Sequence, residues 1–140
     1  RMLAKLARVD PELLHPVKHG SEQAQQDLVL IKLRDTLVRQ RVDIVTSIRF
    51  TLKSLGIRLK SPNSAAFANY ARKALCEHPE ILSRVAPALA ALDGLNASVK
   101  EYDRQIEATS REKYPQTAKL RQIAGVGPIT ALCFVLTMEE

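Results

Sequence analysis

The sequence predicts an all-α protein, and its composition is the first reason. Hydrophobic residues make up 46% of the 140 residues, but only 4% are aromatic and there is no tryptophan. A core of leucine, alanine, valine and isoleucine suits packed helices better than aromatic-rich strands. The length is that of one domain. We expect two long helices that form a coiled-coil-like hairpin or a dimer arm, followed by a C-terminal helix-hairpin-helix.

The first long helix is expected over residues 21–55. Ser21 is a good N-cap, Gly56 stops the helix, and no proline or glycine lies between them. Two neighbouring apolar stripes predict a wide buried face. The stripes are Leu30, Leu33, Leu37, Ile44, Ile48, Leu52 and Leu55, and Ala24, Leu28, Ile31, Val38, Val42 and Val45. The opposite side is expected to carry Arg34, Arg39, Arg41, Arg49 and Lys53, either as an ordinary solvated face or as a groove wall for phosphates.

A short amphipathic helix is expected next, between Pro62 and Pro79. We expect either Asn63 or Ser64 to cap it. Its large apolar residues are predicted to pack against the first long helix. They are Phe67, Tyr70 and Leu75.

The second long helix is expected to begin with Pro87 as its first residue and to end near Tyr114. Its apolar residues are spaced alternately four and three apart, which is the a/d pattern of a coiled coil. This seam consists of Ala88, Leu92, Leu95, Val99, Tyr102 and Ile106. Gly94 weakens the helix by about 1 kcal/mol relative to alanine, so packing must hold it. That packing is either within the chain or against a second chain.

The C-terminal segment predicts a helix-hairpin-helix. A short helix is expected over QTAKLRQI (116–123) and a turn over AGVG (124–127). A second helix is expected over PITALCFVLTME (128–139), with Pro128 at its first position. Gly125 and Gly127 would allow positive φ angles, and the backbone N–H groups of the turn could then bind phosphate. The remaining contact residues expected here are Lys119, Arg121, Val126, Ile129 and Thr130. Plain packing of two helices is the alternative.

The formal charge is +6, and its distribution is uneven. Residues 1–60 contain 12 lysines or arginines and 6 acids, whereas residues 61–140 contain 9 of each. This N-terminal excess is either a solvated surface or the footprint of a nucleic acid.

The sequence predicts neither a metal site nor a membrane span. Cys76 and Cys133 are far apart in apolar contexts, which favours buried free thiols. His15 and His19 are four residues apart, but Pro16 and Gly20 argue against a helix that would hold both on one face. No signal peptide and no apolar run of spanning length is found, which favours the cytoplasm.

Three segments together resemble the DEDD-type insertion-sequence transposases, the bridge recombinases. They are LAKLARVDPELLHPV, SEQAQQDLVLIKLRDTLVRQRVDIVTSIRFTLKSLG and YDRQIEATSREKYPQTAKLRQIAGVGPITALCFVLTMEE. The resemblance covers almost the whole chain and is weakest over residues 57–87. It implies that residues 1–20 are the tail end of a RuvC-like domain, that residues 21–114 form a helical coiled-coil domain, and that residues 115–140 begin the C-terminal transposase domain.

In this family the RuvC-like domain holds Mg²⁺ with four acidic residues, and the C-terminal domain supplies a nucleophilic serine. No such acidic set can be assigned here: Asp10 falls after the family's last acid, and Asp27, Asp35 and Asp43 lie on the first long helix. The chain also begins without methionine inside a periodic segment, which predicts a fragment of a longer protein. We therefore expect no catalytic residue, metal ligand or cofactor in this chain, with Mg²⁺ only in the missing RuvC-like domain.

The resemblance implies the nucleic-acid-binding and oligomerising part of a DNA transposase that mobilises an insertion sequence. It points to Arg34, Arg41 and Arg49 as contacts, and we add Arg39 and Lys53 for their charge. The expected partners are DNA, a structured guide RNA and a second copy of the chain, in the bacterial cytoplasm at the nucleoid. The alternatives are a structural helical-hairpin dimerisation module and a DNA-repair-type helix-hairpin-helix module.

Overall fold

A computed structural model describes Arg8, residues 20–60 and residues 63–138. Within these ranges the chain is helical and has no strand, which confirms the predicted all-α class. Apart from Arg8 and Gly20, the proposed tail of a RuvC-like domain over residues 1–20 lies outside the described residues. The helices are α1 (Glu22–Ser54), α2 (Phe67–Ala74), α3 (Pro79–Lys113), α4 (Thr117–Leu120) and α5 (Pro128–Thr137).

Helix α1 begins and ends where the sequence predicts. The Ser21 hydroxyl accepts a hydrogen bond from the backbone N–H of Ala24 at 3.1 Å, as an N-cap should. At the other end Leu55 is the C-cap, and Gly56 follows with a φ of +80°, which an L side chain rarely adopts. At 1.5 Å per residue the helix is about 50 Å long.

Helix α3 begins eight residues earlier than predicted, at Pro79 instead of Pro87. Pro87 lies inside the helix, where its ring removes one backbone hydrogen bond. The first two turns nevertheless remain helical because Ile81, Leu82 and Val85 pack against a buried cluster. The predicted start was wrong because burial of the two turns before Pro87 outweighs the preference of proline for the first position of a helix.

The two long helices run antiparallel along each other. Asp27 contacts Lys113, Arg34 contacts Asp103, and Arg41 contacts Asn96. Residues later in α1 therefore contact residues earlier in α3. The three α1 residues are seven apart and therefore lie on one face of the helix. We call Asp27, Arg34 and Arg41 the polar row.

The polar row corrects the expected orientation of α1. Arg34 and Arg41 were predicted on the side opposite the apolar stripes, but both are partly buried and face α3. They lie between the two stripes, at the centre of the face that α1 presents to α3. The stripes therefore flank the interface, and Leu33 and Val42 within them remain 46% exposed.

Two apolar clusters hold the ends of the helix pair. The first joins the end of α1 to α2 and the start of α3, and its buried members are Val45, Ile48, Leu52, Leu59, Phe67, Ala68, Ala71, Leu75, Leu89 and Leu92. The second joins the start of α1 to the end of α3 and to α5, and its buried members are Ala24, Ile106, Tyr114, Leu132 and Leu136.

The predicted seam of α3 is partly used within the chain. Leu92, Val99 and Ile106 are buried, whereas Leu95 and Tyr102 are only half-buried. Leu92 belongs to the first cluster and Ile106 to the second, so both contact the same chain. The coiled-coil character of the pair and its dimerisation stay predictions.

The segment between the long helices follows the prediction only in part. Phe67 and Leu75 are buried as expected, but Tyr70 is exposed. Asn63 accepts a hydrogen bond from the N–H of Ala65, one turn before the helix, and Ala66 takes the N-cap position of α2 without a side-chain bond.

Both described cysteines are free thiols, as the sequence predicts. Their predicted burial is wrong for Cys76, which is exposed, while Cys133 is half-buried.

A buried carboxylate clamps the start of α1 to the end of α3. Asp27 is 6% exposed and accepts hydrogen bonds from Lys113 Nζ at 3.0 and 3.2 Å, from the Tyr114 hydroxyl at 2.9 Å and from Gln23 at 3.1 Å. Burial alone would raise the pKa of Asp27, but these hydrogen bonds and the charge of Lys113 outweigh it and lower the pKa. Asp27 is therefore charged in the folded chain at neutral pH.

We expect Asp27→Ala to lower the free energy of unfolding by about 1 to 3 kcal/mol at pH 7, because it leaves the Tyr114 hydroxyl and Lys113 without their acceptor. Urea unfolding followed by circular dichroism measures the change. The matched control is Asp43→Ala, which removes an exposed carboxylate from the same helix.

The lowered pKa also gives the pH dependence of this contribution. The stability from Asp27 is present above its unfolded-state pKa of about 3.9 and is lost as the pH falls through the lower folded-state value. The difference in stability between wild type and Asp27→Asn should therefore shrink as the pH falls below about 4. A difference that stayed constant down to pH 2 would contradict the clamp.

Candidate nucleic-acid interface

Carboxylates neutralise several of the arginines that the sequence singled out. Arg34 forms an ion pair with Asp103 at 2.6 Å, and its side chain is only 23% exposed. Arg39 is well exposed but pairs with Asp35 one turn earlier at 2.6 Å. Both arginines are thus engaged within the fold and offer less net charge to a phosphate than their number suggests.

Arg41 and Arg49 each contact an uncharged group of the chain. Arg41 Nη1 donates to Asn96 Oδ1 at 3.2 Å. The Arg49 guanidinium lies over the Phe67 ring, 5.2 Å from its centroid, in a cation–π contact. Arg41 therefore keeps its attraction for an anion. Arg49 is half-buried against Phe67, although the sequence predicted it on the side of α1 opposite the apolar stripes.

A run of sequence around the first cluster contains cations and no acid. Residues 44–76 include six lysines and arginines but neither aspartate nor glutamate. We call these six residues the basic end: Arg49, Lys53, Arg58, Lys60, Arg72 and Lys73. Arg72 pairs with Asp93 of α3, whereas Lys53, Arg58, Lys60 and Lys73 are exposed. Of these six residues only Arg49 and Lys53 were predicted contacts, although the absence of acids is evident from the sequence.

An exposed aromatic residue adjoins the basic end. Phe50 is 67% exposed and shares a shallow surface hollow with Thr46, Arg49 and Lys53. An exposed ring between two cations can stack on a nucleobase while the cations meet the phosphates. Phe50 is not among the predicted contacts.

The C-terminal turn differs from the prediction at one glycine. Gly125 has a φ of +88° and needs to be glycine, whereas Gly127 has a φ of −84° and adopts a conformation open to any residue. Gly127 is the N-cap of α5, and Pro128 occupies the first helical position as predicted. The turn closes with a hydrogen bond from the N–H of Val126 to the carbonyl of Ile123 at 3.1 Å.

The other residues predicted at this turn have unequal environments. Lys119 and Thr130 are exposed, whereas Arg121 pairs with Glu107 of α3 at 2.7 Å. Val126 is half-buried, and Ile129 packs against the second cluster. The side chain of Ile129 therefore supports the fold. Its backbone N–H lies in the first turn of α5, where a helix favours an anion.

The turn segment and the basic end lie at different ends of α1. Helix α5 packs against the first turns of α1 around Ala24 and Ile31, whereas Arg49 begins the basic end in its last two turns. From Ile31 to Arg49 the helix rises about 27 Å. The structure therefore separates the turn from the basic end, with Arg34, Arg39 and Arg41 between them on α1.

No cluster of candidate metal ligands is found among the described residues. No three side chains of histidine, cysteine, aspartate or glutamate come together there in a way that could hold an ion. His15 and His19 lie outside the described residues.

None of the helices in the described part has both the length and the apolar character needed to cross a membrane.

Comparison with protein-family models gives no match, and comparisons with curated proteins and with solved structures give none either. The resemblance to the insertion-sequence transposases therefore stays a prediction that rests on the quoted segments.

The two glycines of the turn should respond differently to substitution. Gly125→Ala should lower the free energy of unfolding by about 1 kcal/mol, because its φ is strained for an L side chain. Gly127→Val should leave the fold intact, since a Cβ there would meet nothing within 4 Å, but should weaken DNA binding if a phosphate approaches the turn. Urea unfolding and fluorescence anisotropy measure the two effects. If folded Gly127→Val binds DNA with unchanged affinity, the turn is not part of the contact surface.

Proposed function

We propose that this chain is the nucleic-acid-binding and oligomerising part of a DNA transposase or recombinase that mobilises an insertion sequence. The observation that carries the binding part is the basic end: residues 44–76, which supply most of the first cluster, contain six cations and no acid. The assignment to a transposase rests on the resemblance. Its catalytic acids with their Mg²⁺, and its nucleophilic serine, would be supplied by other parts of that machinery.

The proposed binding is mainly electrostatic. Lys53, Arg58, Lys60 and Lys73 are exposed and would replace the counterions of a phosphate backbone. Phe50 would add stacking on an accessible base. Such contacts give affinity and position without reading a sequence. The target site would therefore be chosen elsewhere, in the proposed system by pairing with a guide RNA.

The Gly-Val-Gly turn supplies a second, weaker contact in this proposal. Lys119 is exposed, and the N–H groups at the start of α5 have the polarity that favours an anion. Arg121, however, is occupied by Glu107. This favours the basic end as the main surface over a DNA-repair-type module that depends on the hairpin alone.

We expect the chain to bind duplex DNA and structured RNA with a steep salt dependence. Changing Lys53, Arg58 and Lys60 to glutamine should reduce the slope of log K against log salt by about 2 to 3, because three phosphates lose their cations. Fluorescence anisotropy over a salt series measures the slope. The control changes Lys32, Arg104 and Arg111 to glutamine, which removes the same charge from exposed sites on α1 and α3 away from the basic end.

Equal slopes for the two triple variants would show that net charge, and not the basic end, attracts the nucleic acid. Absence of binding by the wild type at low salt would leave the structural dimerisation module as the better proposal. A preference for structured RNA over duplex DNA would favour the transposase over a repair module.

We propose that self-association uses the side of the helix pair that α2 and α5 leave open. Leu33 is 46% exposed there, and Leu37, Leu95 and Tyr102 are only half-buried. These residues lie beside the buried contact between α1 and α3. A second copy of the chain could cover them in a four-helix arrangement.

Leu33→Asp should keep the fold and abolish self-association, because it places a charge in the open face. Val99→Asp should instead unfold the chain, since Val99 is 4% exposed within the single chain. Light scattering after size-exclusion chromatography reports the oligomer, and circular dichroism reports the fold. A wild type that stays monomeric at high concentration would rule out this use of the open face.

A further inference from the structure

A polar cleft lies beside the polar row, between α1, the segment that leads into α2, and the middle of α3. Its volume is about 640 Å³, which is within the range of sites that bind small ligands. Arg41 lines it from α1, Asn69 from α2, and Asn96 and Lys100 from α3. It adjoins the basic end, since Arg72 contacts Asn69 and Asp93 of its lining, and it is separate from the Gly-Val-Gly turn.

The cleft carries an uncompensated positive charge. Two carboxylates line it, but Asp93 pairs with Arg72 and Asp103 pairs with Arg34. Lys100 lies on the same face of α3 and forms no ion pair with any described residue. Arg41 is bonded only to the neutral Asn96 amide, and its Nε is buried without a hydrogen-bond partner in the described part of the chain. Arg41 and Lys100 therefore suit an anionic group.

Amide groups around the cleft provide a second kind of recognition. Asn69 accepts one hydrogen bond from Arg72 through Oδ1, which leaves its NH₂ group and a second lone pair available. Asn96 is fixed in place because its Oδ1 accepts from Arg41 and its Nδ2 donates to the Ala65 carbonyl. An asparagine amide can pair with the edge of a nucleobase.

We propose that this cleft binds one unpaired nucleotide of a nucleic-acid strand, with its phosphate on Arg41 and Lys100 and its base edge on the Asn69 amide. This inference deepens the proposed nucleic-acid binding and rests on it. The ligand is unpaired because a base within a duplex lies in the stack, where it cannot enter a cleft between helices. The cleft thus adds a preference for single-stranded or looped segments that the basic end does not have.

The test compares a fluorescein-labelled oligoadenylate with a blunt DNA duplex in anisotropy titrations of the intact chain. Lys100→Gln should weaken oligoadenylate binding roughly three- to tenfold and lower its salt slope by about 1, and Lys100→Arg should restore both. The matched control is Lys32→Gln, which removes an exposed lysine outside the cleft. Ala97→Trp should also weaken oligoadenylate binding, because Ala97 lines the cleft and is exposed, so a large ring blocks it without loss of charge.

Two results would overturn the inference while leaving nucleic-acid binding in place. One is an equal loss of oligoadenylate affinity in Lys100→Gln and Lys32→Gln, which would reflect net charge alone. The other is wild-type affinity in folded Ala97→Trp. If the wild type binds neither probe at low salt, the proposed function and this inference fail together. Chemical-shift changes of the Asn69 side-chain NH₂ on addition of oligoadenylate would locate the ligand directly.

Discussion

The polar row of Asp27, Arg34 and Arg41 fixes how the two long helices meet, and the rest of the structure depends on that register. An interface made only of leucine and valine could shift by a helical turn and still bury similar area. Such a shift here would separate Arg34 from Asp103 and would strip Asp27 of Lys113 and Tyr114. Polar groups in an otherwise apolar seam therefore specify one alignment, although an apolar interface could be more stable. With that alignment, the two apolar clusters form at opposite ends, and the cleft remains between them, where Arg41 faces Asn96.

The same contacts decide which cations are available to a partner. Arg34, Arg39 and Arg121 are each paired with a carboxylate of the chain, so they offer little net charge to a partner. The charge that remains outside these pairs is concentrated in segments where acids are absent, above all the basic end. Surface ion pairs add little stability, so their main effect here is on the electrostatic field that a nucleic acid would meet.

Features set by local chemistry could be predicted from the sequence. Ser21, Gly56 and Pro128 each act within one helical turn, and all three occupy the expected positions. Features set by distant partners could not. Pro87 is inside a helix because the turns before it reach a buried cluster, and Arg34 faces inward because Asp103 lies opposite it, 69 residues later. The cleft depends on where the segment before α2 docks on α3, and no spacing in the sequence gives that.

The separation of the candidate contacts limits what kind of recognition this chain can perform. The basic end and the Gly-Val-Gly turn lie along the same helix pair with neutralised ion pairs between them. A phosphate backbone that follows α1 would be attracted at both ends and, between them, chiefly by Arg41 and Lys100 of the cleft. Contacts of this kind hold a strand in place but do not distinguish one sequence from another. The cleft is different, because the Asn69 amide can donate to and accept from a base edge while Arg41 and Lys100 keep their charge. Any preference beyond electrostatic attraction would therefore arise in the cleft, which lies beside the polar row that sets the helix register.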